Sequence, residues 1–417
     1  MPNLVEAVVP KRLGVGFRRL LAGSWLNNIG DGIAIASGPL LVASLTDSAF
    51  LIASGALLQW LPQLVFGLWA GVLSDRADRR LIVVAAETVR AVVVIALCLT
   101  IVTGTVTVGL TLVALFVLAT VDVFGMNATN TLLPMLVHRD DLAIANARIQ
   151  AGFISVNQLA GPPIGAALFA AGHAWPFVSE GVLVAVGAIF VSRIVAPARV
   201  RDSAGTAVWH DIAEGVRWVR HHAAVRTLVL TIFTFNITFG AAWSVLVIYA
   251  KRRLELGEIG FGLIMTVLAL GGVLGMLSYG WIVRRLSLGN VMRIGLIIET
   301  LTHLGLALAT TPWVAMPIFF VFGAHAFIWG TTSITVRQRA VPTELQGRVG
   351  SVNSVGVFGG LVIGSGIGGV LAQHLGVTAP FWFAFIGSAV FVVLIWGQLT
   401  HIAHDATEAV AQAPSAG

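Results

Sequence analysis

The chain has 417 residues, of which 57% are hydrophobic and only 11% charged, and its mean hydropathy is +0.92. A soluble domain carries about 25% charged residues, so a water-soluble chain of this composition would expose large apolar patches and aggregate. The composition therefore excludes a soluble protein, and because the net charge of +6 is not gathered in a basic patch with interleaved aromatics, nucleic-acid binding is also disfavoured.

Apolar runs about 20 residues long predict membrane-spanning helices, because a β-barrel would instead show alternating segments of about ten residues. The first run is too long for a cleavable signal and lacks a clear cleavage site, so we expect it to remain as the first span. The predicted fold class is an all-α membrane protein with twelve transmembrane helices. The twelve runs lie near 20–45, 48–72, 81–102, 108–135, 149–171, 176–196, 226–250, 260–283, 291–310, 313–336, 350–372 and 380–400.

Basic residues predict the orientation of these spans. With an even number of spans and the N-terminus inside, all but four of the 25 Lys and Arg residues fall on the inner side. Lys251, Arg252 and Arg253 fall outside, and Arg90 lies within the membrane. The sequence therefore predicts a multi-pass protein of the cell membrane, embedded in the lipid bilayer with both termini in the cytoplasm.

An internal repeat relates the two halves of the chain. Residues 137–165 resemble residues 340–368 at an offset of 203, so that Gly161 and Gly165 align with Gly364 and Gly368. Such repetition is typical of transporters, whose substrate site lies between the halves near the midplane. We therefore predict an N-terminal six-helix half at 1–196 and a C-terminal half at 226–400, related by pseudo-symmetry. Between them, 197–225 is a cytoplasmic linker with an amphipathic helix, and 401–417 is a disordered cytoplasmic tail.

Charged residues are concentrated in the stretch "GVLSDRADRR", Gly71–Arg80, between the second and third spans. Basic residues at this place fix topology and contact lipid headgroups. In the third span, Glu87 and Arg90 lie three residues apart on one face. We expect this intramembrane pair to neutralise each other or to pair with neighbouring helices.

The loop resembles the loop 2–3 signature of the major facilitator superfamily, Gly-x-x-x-Asp-Arg-x-Gly-Arg-Arg, with Asp78 in place of the second glycine. The stretches "DDLAIANARIQ", "AGPPIG" and "DIAEGVRWVRHH" are similar to a bacterial exporter branch that contains macrolide, multidrug and enterobactin efflux proteins. The resemblance implies a gating role for the loop, in which Asp75 approaches the positive N-terminal end of the eleventh span. The residues that carry the signature are Gly71, Asp75, Arg76, Arg79 and Arg80.

The fifth span also resembles a motif of the family's antiporters, Gly-Pro-x-x-Gly-Gly. It is matched by Gly161, Pro162 and Gly165, with Ala166 in place of the last glycine and Asn157 where an earlier glycine is expected. Many proton-coupled drug exporters carry an arginine in the fourth span, and this fourth span has none. The motifs by themselves therefore do not establish proton antiport.

Polar residues at mid-depth are candidates for the transport site, because a carboxylate at the bilayer centre costs at least ~2.5 kcal/mol on insertion scales. Spans 1, 4, 7 and 10 line the cavity in the superfamily fold, and each carries one such residue. The alternative is a structural role, in which an amide or imidazole simply bonds a neighbouring helix. The predicted coupling and substrate residues are Asp31, Asp122, Asn28, Asn236, His325, Trp243 and Trp329.

Between the two acids, Asp31 is the first choice as proton carrier, because Asn27 and Asn28 precede it by four and three residues on the same helix face. A carrier must change its charge between states, and desolvation favours the protonated form of a carboxylate. Asp122 would then contact a cationic or hydrogen-bonding substrate, or act as a second carrier.

Enzymatic function is disfavoured, because the chain has no nucleophilic serine motif, no paired-histidine metal spacing and no Gly-rich phosphate loop. We expect no cofactor and no metal. The sequence predicts a secondary active transporter, acting as a monomer, that exports a hydrophobic or amphipathic molecule of the drug, macrolide or siderophore type by proton antiport. The alternatives are an importer or lipid transporter of the same fold, or a non-transporting membrane receptor.

Overall fold

The computed structural model describes residues 11–194 and 208–398, except for the side chains of Lys11, Asp75 and 208–212. Residues 197–207 of the predicted linker and the predicted tail, 401–417, lie outside this range. Within the described residues the chain forms helices and no β-strand. The predicted all-α fold class is confirmed.

The first half of the chain forms six long helices. The fifth, α5, runs through three consecutive stretches, Leu142–Gly152, a π-helical Phe153–Ala160 and Gly161–Ala171. The other five are α1 (Gly14–Leu45), α2 (Ala49–Arg76), α3 (Arg79–Val102), α4 (Val108–Leu136) and α6 (Trp175–Ser192).

The second half begins with the amphipathic helix of the linker, α7 (Val208–His221). Its Gly215 packs closely against the backbone of Arg348, and Glu214 forms an ion pair with Arg348 at 2.8 Å. This amphipathic helix is therefore packed against the segment that contains Arg348. The following helices are α8 (Ala223–Trp243), α9 (Leu246–Arg252), α10 (Glu258–Val283), α11 (Leu288–Leu308), α12 (Pro312–Ala340), α13 (Gln346–Leu375) and α14 (Ala379–Ile395).

Eleven stretches of the described chain are long and apolar enough to cross a membrane, and α8 with α9 form one of them, Ala223–Arg252. The twelfth predicted span corresponds to α14, a shorter apolar helix of 17 residues. At 1.5 Å per residue it is about 26 Å long, which is at the lower limit for crossing the hydrocarbon core.

Helix starts in the first half follow from capping residues. Thr107 caps α4 by accepting from the Leu110 amide. Asp78, which replaces the second glycine of the loop signature, has an extended backbone and its carboxylate accepts hydrogen bonds from the amides of Arg80 and Leu81. The substitution therefore provides an N-cap for α3, a position at which aspartate is strongly preferred.

The described chain forms two compact units. The first holds α1, α3 to α6, α2 from Leu58 onward and the start of α10 up to Thr266. The second holds Ser48–Leu57 of α2, α7 to α9, the rest of α10 and α11 to α14.

The glycines that align in the internal repeat have equivalent packing roles in the two units. In each unit they bring two helices so close that an added Cβ atom would collide with backbone atoms of the facing helix. Such close approach is what small residues permit between membrane helices. In the first unit Gly161 faces Gly32 and Gly165 faces Ile33, both on α1, and in the second unit Gly364 faces Ile237 and Gly368 faces Ala241, both on α8.

Candidate functional site

Arg90 of α3 is the centre of a buried ionic cluster in the first unit. Its side chain is 5% exposed and donates to carboxylates of three other helices. The guanidinium lies 2.8 Å from Glu180 Oε1 of α6 and 3.3 Å from Asp122 Oδ1 of α4, and it also forms an ion pair with Asp31 of α1. We call these four residues the Arg90 cluster.

Glu180 is the inner member of the Arg90 cluster. Its side chain is 1% exposed, and its Oε1 atom accepts from both Nε and Nη2 of Arg90, at 3.2 and 2.8 Å. Arginine suits this role because its donors form a planar fork that stays charged. The contact fixes the orientation of the guanidinium, so its remaining donors point toward the two aspartates.

Asp31 and Asp122 form the accessible side of the same cluster. Their side chains are 34% and 45% exposed, in contrast to the sealed Arg90–Glu180 contact. Both aspartates line a cavity of about 390 Å³ within the first unit. They are therefore the members of the cluster that can meet a proton or a solute from that cavity.

Glu87 lies one turn from Arg90 on α3 but is held by a different partner. Its Oε1 atom accepts a hydrogen bond of 2.6 Å from Nδ2 of Asn27 on α1. Among the described side chains, the ion pairs of Arg90 are with Asp31, Asp122 and Glu180 and do not include Glu87. Arg90 therefore pairs with carboxylates of neighbouring helices, whereas Glu87 bonds Asn27.

The cavity has a mixed lining. Apolar side chains from α3, α4 and α5, among them Val83, Met126, Ile149 and Phe153, lie beside polar groups, so the cavity suits a solute with both kinds of surface. Asn28 lies in this wall, and its Nδ2 atom donates to the Ser24 carbonyl at 2.7 Å. The polar lining consists of Ser24, Asn27, Asn28, Asp31, Glu87, Arg90, Asp122, Thr129, Asn130 and Gln150.

The charges of this region do not balance when every group is ionised. Arg90 is the one cation among the lining residues, whereas Asp31, Glu87 and Asp122 line the cavity and Glu180 stands behind them. Uncompensated charge inside a membrane is expensive. The region can therefore exchange protons or accept a cationic group, and either event would lower its excess negative charge.

The other predicted cavity residues belong to the second unit, and none of them lines this cavity. Asn236 donates to the Ile232 carbonyl of its own helix at 2.7 Å. Trp243 stacks on Phe239 with the ring centroids 4.6 Å apart. His325 lies 3.5 Å from Glu299, and Trp329 packs over Gly295.

Two arginines of the loop signature bind backbone carbonyls of three helices within the first unit. Arg79 donates to the carbonyls of Ser74 on α2 and Thr131 on α4, at 3.1 and 3.3 Å, and Arg80 donates to the Ser192 carbonyl of α6. Ser74 and Ser192 lie in the last turns of their helices, where carbonyls lack intrahelical partners and attract cations, whereas Thr131 lies more than a turn before the end of α4. These two arginines therefore tie α2, α4 and α6 to the start of α3.

The remaining signature residues are less constrained. Arg76 is exposed at the end of α2, and a Cβ atom added to Gly71 would meet open space. The side chain of Asp75, on which the predicted gating contact depends, lies outside the described part of the structure.

The antiporter-like run of α5 follows directly on its π-helical stretch. Asn157, which stands where the family pattern has a glycine, lies in this stretch and is 4% exposed. Stretches of π-helix are rare and occur frequently at functional sites. Phe153, at the start of this stretch, and the preceding Ile149 and Gln150 line the cavity, and the following Gly161 and Gly165 pack against α1.

Sequence reasoning missed Glu180. The signal was present, because this residue is a carboxylate within the apolar run 176–196, and the rule that singled out Asp31 applies to it as well. What the sequence did not contain was its partner, since Arg90 is 90 residues away along the chain.

Sequence comparisons identify relatives over nearly the whole chain. A family model described as transmembrane secretion effector, of the major facilitator type, matches residues 7–416. The multidrug efflux pump Tap of Mycolicibacterium fortuitum is 30% identical over 387 residues, which cover 88% of this chain and 90% of that protein. Macrolide efflux protein A of Streptococcus pyogenes is 25% identical over 372 residues, covering 84% and 87%.

Structural comparisons agree on the fold. A bacterial homologue of the iron transporter ferroportin in an inward-facing state superposes with a TM-score of 0.73 at 17% identity, covering 92% of this chain and 98% of that one. The nucleoside transporter NupG gives 0.68 at 14% identity, covering 93% and 98%. The relatives are transporters and not enzymes. This chain is a multi-pass membrane transporter of small molecules and belongs to the transmembrane secretion effector family of the major facilitator superfamily.

Proposed function

We propose that this transporter exports an amphipathic small molecule from the cell in exchange for protons, which bind at Asp31 and Asp122. The observation that carries the proposal is the Arg90 cluster, in which one arginine pairs with Asp31, Asp122 and Glu180 at the wall of a cavity.

The first step of the argument concerns charge. The cavity lining together with Glu180, which pairs with Arg90 behind it, contains four carboxylates and one arginine. The site therefore carries excess negative charge unless protons or a cationic solute are bound. Protons and solute would therefore compete for the same carboxylates. Exchange by alternating access requires competition of this kind, in which each ligand lowers the affinity of the site for the other.

The second step concerns which carboxylates take part. Asp31 and Asp122 are exposed toward the cavity, whereas Glu180 is sealed against Arg90. Release of a proton from either aspartate leaves a carboxylate that is partly compensated by Arg90, since the guanidinium already contacts both. Asp31 is the first choice as carrier, and Asp122 meets the solute or acts as a second carrier.

The third step concerns the solute and the direction of transport. The cavity combines aliphatic and aromatic walls with amides and carboxylates, which fits an amphipathic molecule with hydrogen-bonding or basic groups. Two relatives are named as a multidrug efflux pump and a macrolide efflux protein. We infer export of a compound of this kind, with the protein in the plasma membrane of a bacterium.

The proposal is tested with purified protein in proteoliposomes and a labelled macrolide as the probe. An imposed proton gradient should drive accumulation by the wild-type protein, and a protonophore should abolish it. Asp31→Asn should abolish accumulation against a gradient while exchange of labelled for unlabelled probe continues, because the side chain can no longer release a proton. Asp140→Asn, at an exposed aspartate, is the matched control.

Two outcomes would contradict the proposal. If Asp31→Asn and Asp122→Asn each accumulate the probe at the wild-type rate with the wild-type pH dependence, coupling does not pass through these acids. If accumulation requires that protons and probe cross the membrane in the same direction, and not in opposite directions, the protein is an importer. A lipid transporter of the same fold would transport a labelled phospholipid and would not transport the macrolide.

The proposed orientation places α7 in the cytoplasm and the segment before α10 outside, in accordance with the distribution of basic residues. Single cysteines at Ala213 and Gly257, both exposed, report on this in a protein whose Cys98 is replaced by alanine. In intact cells, a membrane-impermeant maleimide should label the cysteine at 257 and spare the one at 213. The reverse pattern would overturn the assignment.

A further inference from the structure

A second group of titratable side chains lies inside the second unit, on α11 and α12. Glu299 and His303 are one helical turn apart on α11, and His325 projects from α12, where its Nε2 atom lies 3.5 Å from Glu299 Oε2. We call these three residues the His325 cluster. It shares no residue with the Arg90 cluster or with the cavity beside it.

The His325 cluster is deeply buried. The side chains of His325 and Glu299 are 4% and 11% exposed, and His303 is fully buried. Gly295 leaves room for two side chains of α12, since an added Cβ atom would lie 2.5 Å from Trp329 Cδ1 and 3.0 Å from His325 Cε1. A larger residue at position 295 would therefore displace Trp329 and crowd the imidazole.

One member of the cluster has no bonding partner in this arrangement. Neither ring nitrogen of His303 forms a hydrogen bond among the described residues. An imidazole always carries at least one N–H donor, and a buried donor without an acceptor is unfavourable. One turn before His303, α11 carries Thr300 and Glu299, whose side chains both have acceptor oxygens, and Glu299 is the carboxylate and faces His325.

Few other titratable groups lie on the neighbouring helices. The helix α14, which packs against α11, contains no titratable residue, and the one such residue of α8 is Arg226 at its exposed start. The helix α10, whose Gly275 packs against Ala324 of α12, carries Glu258 in its first turn and Tyr279 four residues after Gly275. Arg337 and Arg339 are at least 12 residues beyond His325 on α12, or about 18 Å along the helix. Arg293 of α11 lies over the Trp396 ring, and Tyr249 and Arg253 contact the far end of α11 through the carbonyls of Leu306 and Ala309.

The charge of the cluster is therefore set by protons. With one proton shared among Glu299, His303 and His325 the cluster is neutral, and with none it carries a negative charge in a buried place, since the described residues provide no arginine or lysine as counter-ion. Burial of an unpaired charge in a membrane is costly. A bound proton would therefore stabilise the cluster.

We propose that the His325 cluster is a second proton-binding site of this transporter, in which Glu299 holds one proton jointly with His325 or His303. The two imidazoles are alternative partners of one carboxylate, because His325 approaches it from α12 and His303 from its own helix. A shift of α12 relative to α11 would exchange these partners. The site binds and releases its proton as these helices move. It would therefore bind one proton in addition to those bound at Asp31 and Asp122 of the first unit.

The experiment observes the proton directly. Purified protein in lipid nanodiscs is titrated from pH 5 to pH 9 and followed by infrared difference spectroscopy, in which a protonated carboxyl group gives a separate C=O band. Glu299→Gln should remove one such band, and His325→Gln should change the pH at which this band disappears. His374→Gln and Glu344→Gln, at exposed positions, should leave this band unchanged.

The outcome does not depend on the function proposed above, because the spectra are recorded on resting protein without substrate. Difference spectra of folded Glu299→Gln that superimpose on those of the wild type would overturn the proposal. The band should persist in Asp31→Asn, and its loss there would assign it to the first unit instead. If Glu299→Gln fails to fold, His303→Gln provides the same test, because removal of an alternative partner should also change the pH at which the band disappears.

Discussion

The Arg90 cluster of the first unit and the His325 cluster of the second are both polar groups buried among transmembrane helices, but they are neutralised in different ways. The first contains a permanent cation with carboxylates from three other helices, two of them exposed to a cavity. The second contains one carboxylate and two imidazoles, and within the described residues it has no arginine or lysine as a partner.

The two units therefore compensate buried negative charge with different chemistry. An arginine remains charged in any state of the transporter. The carboxylates around Arg90 can therefore gain or lose protons beside a positive charge that does not change. A carboxylate with imidazoles has no fixed charge and depends on the proton itself. The first arrangement suits competition between protons and a solute, and the second suits the binding of a proton alone.

The largest effect should follow from the loss of the fixed cation. Arg90→Leu leaves Asp31, Asp122 and Glu180 without their partner, and the removal of one member of a buried ion pair costs about 3–5 kcal/mol. We expect transport at background level and a clearly lower melting temperature in nanodiscs. Arg90→Lys, which keeps the charge but not the fork of donors, should restore stability better than transport. Wild-type flux in Arg90→Leu would show that the cluster is not needed.

A second comparison concerns the C-terminal turns of α2 and α10. The stretch "GVLSD" at 71–75 aligns with "GMLSY" at 275–279, so Tyr279 stands where the first half has Asp75. If the acid of the first half alone acts as a gating latch, Asp75→Asn should reduce turnover strongly while expression and substrate binding persist. Tyr279→Phe is the matched control and should be nearly silent. Equal effects of both changes on turnover, measured in proteoliposomes, would remove the basis for a latch.

A smaller effect is expected at the repeat glycines, because here the two units are alike. An added methyl group at Gly165 would collide with the Ile33 backbone, and at Gly364 with the Ile237 carbonyl. Overpacking of this kind costs about 1–3 kcal/mol, so Gly165→Ala and Gly364→Ala should lower the melting temperature by similar amounts. Gly71→Ala, which meets open space, should not. A stable Gly364→Ala beside an unstable Gly165→Ala would mean that the units pack differently.

The smallest effect should come from the hydrogen bond beside the Arg90 cluster. Asn27→Ala removes the donor that lies 2.6 Å from Glu87 and leaves a buried carboxylate oxygen unsatisfied, at a cost of about 1–3 kcal/mol. We expect transport to fall by several-fold, with the protein still folded. Asn146→Ala, an exposed asparagine that bonds only its own helix, is the control. A loss as large as that of Arg90→Leu would mean that Glu87 belongs to the coupling machinery.

Much of this architecture was predictable because the membrane imposes one rule on every residue of a span. Backbone polar groups must be satisfied within the segment, so long apolar runs become helices wherever they occur. The same rule singled out Asp31, Asp122 and Arg90 as costly and therefore informative. It also applied to Glu180, which was overlooked although its sequence signal was equal in kind.

The sequence by itself determined the helices, their apolar faces and the short list of intramembrane charges, because these follow from local composition and from the cost of burying polar groups. Only the tertiary structure decided the partners. Arg90 bonds Asp31, Asp122 and Glu180 on three other helices, whereas Glu87, its neighbour on α3, bonds Asn27. His325, expected in a substrate cavity, lies 3.5 Å from Glu299. Helical periodicity assigns a side chain to a face of its own helix, but which helix lies opposite depends on contacts between residues far apart in the chain.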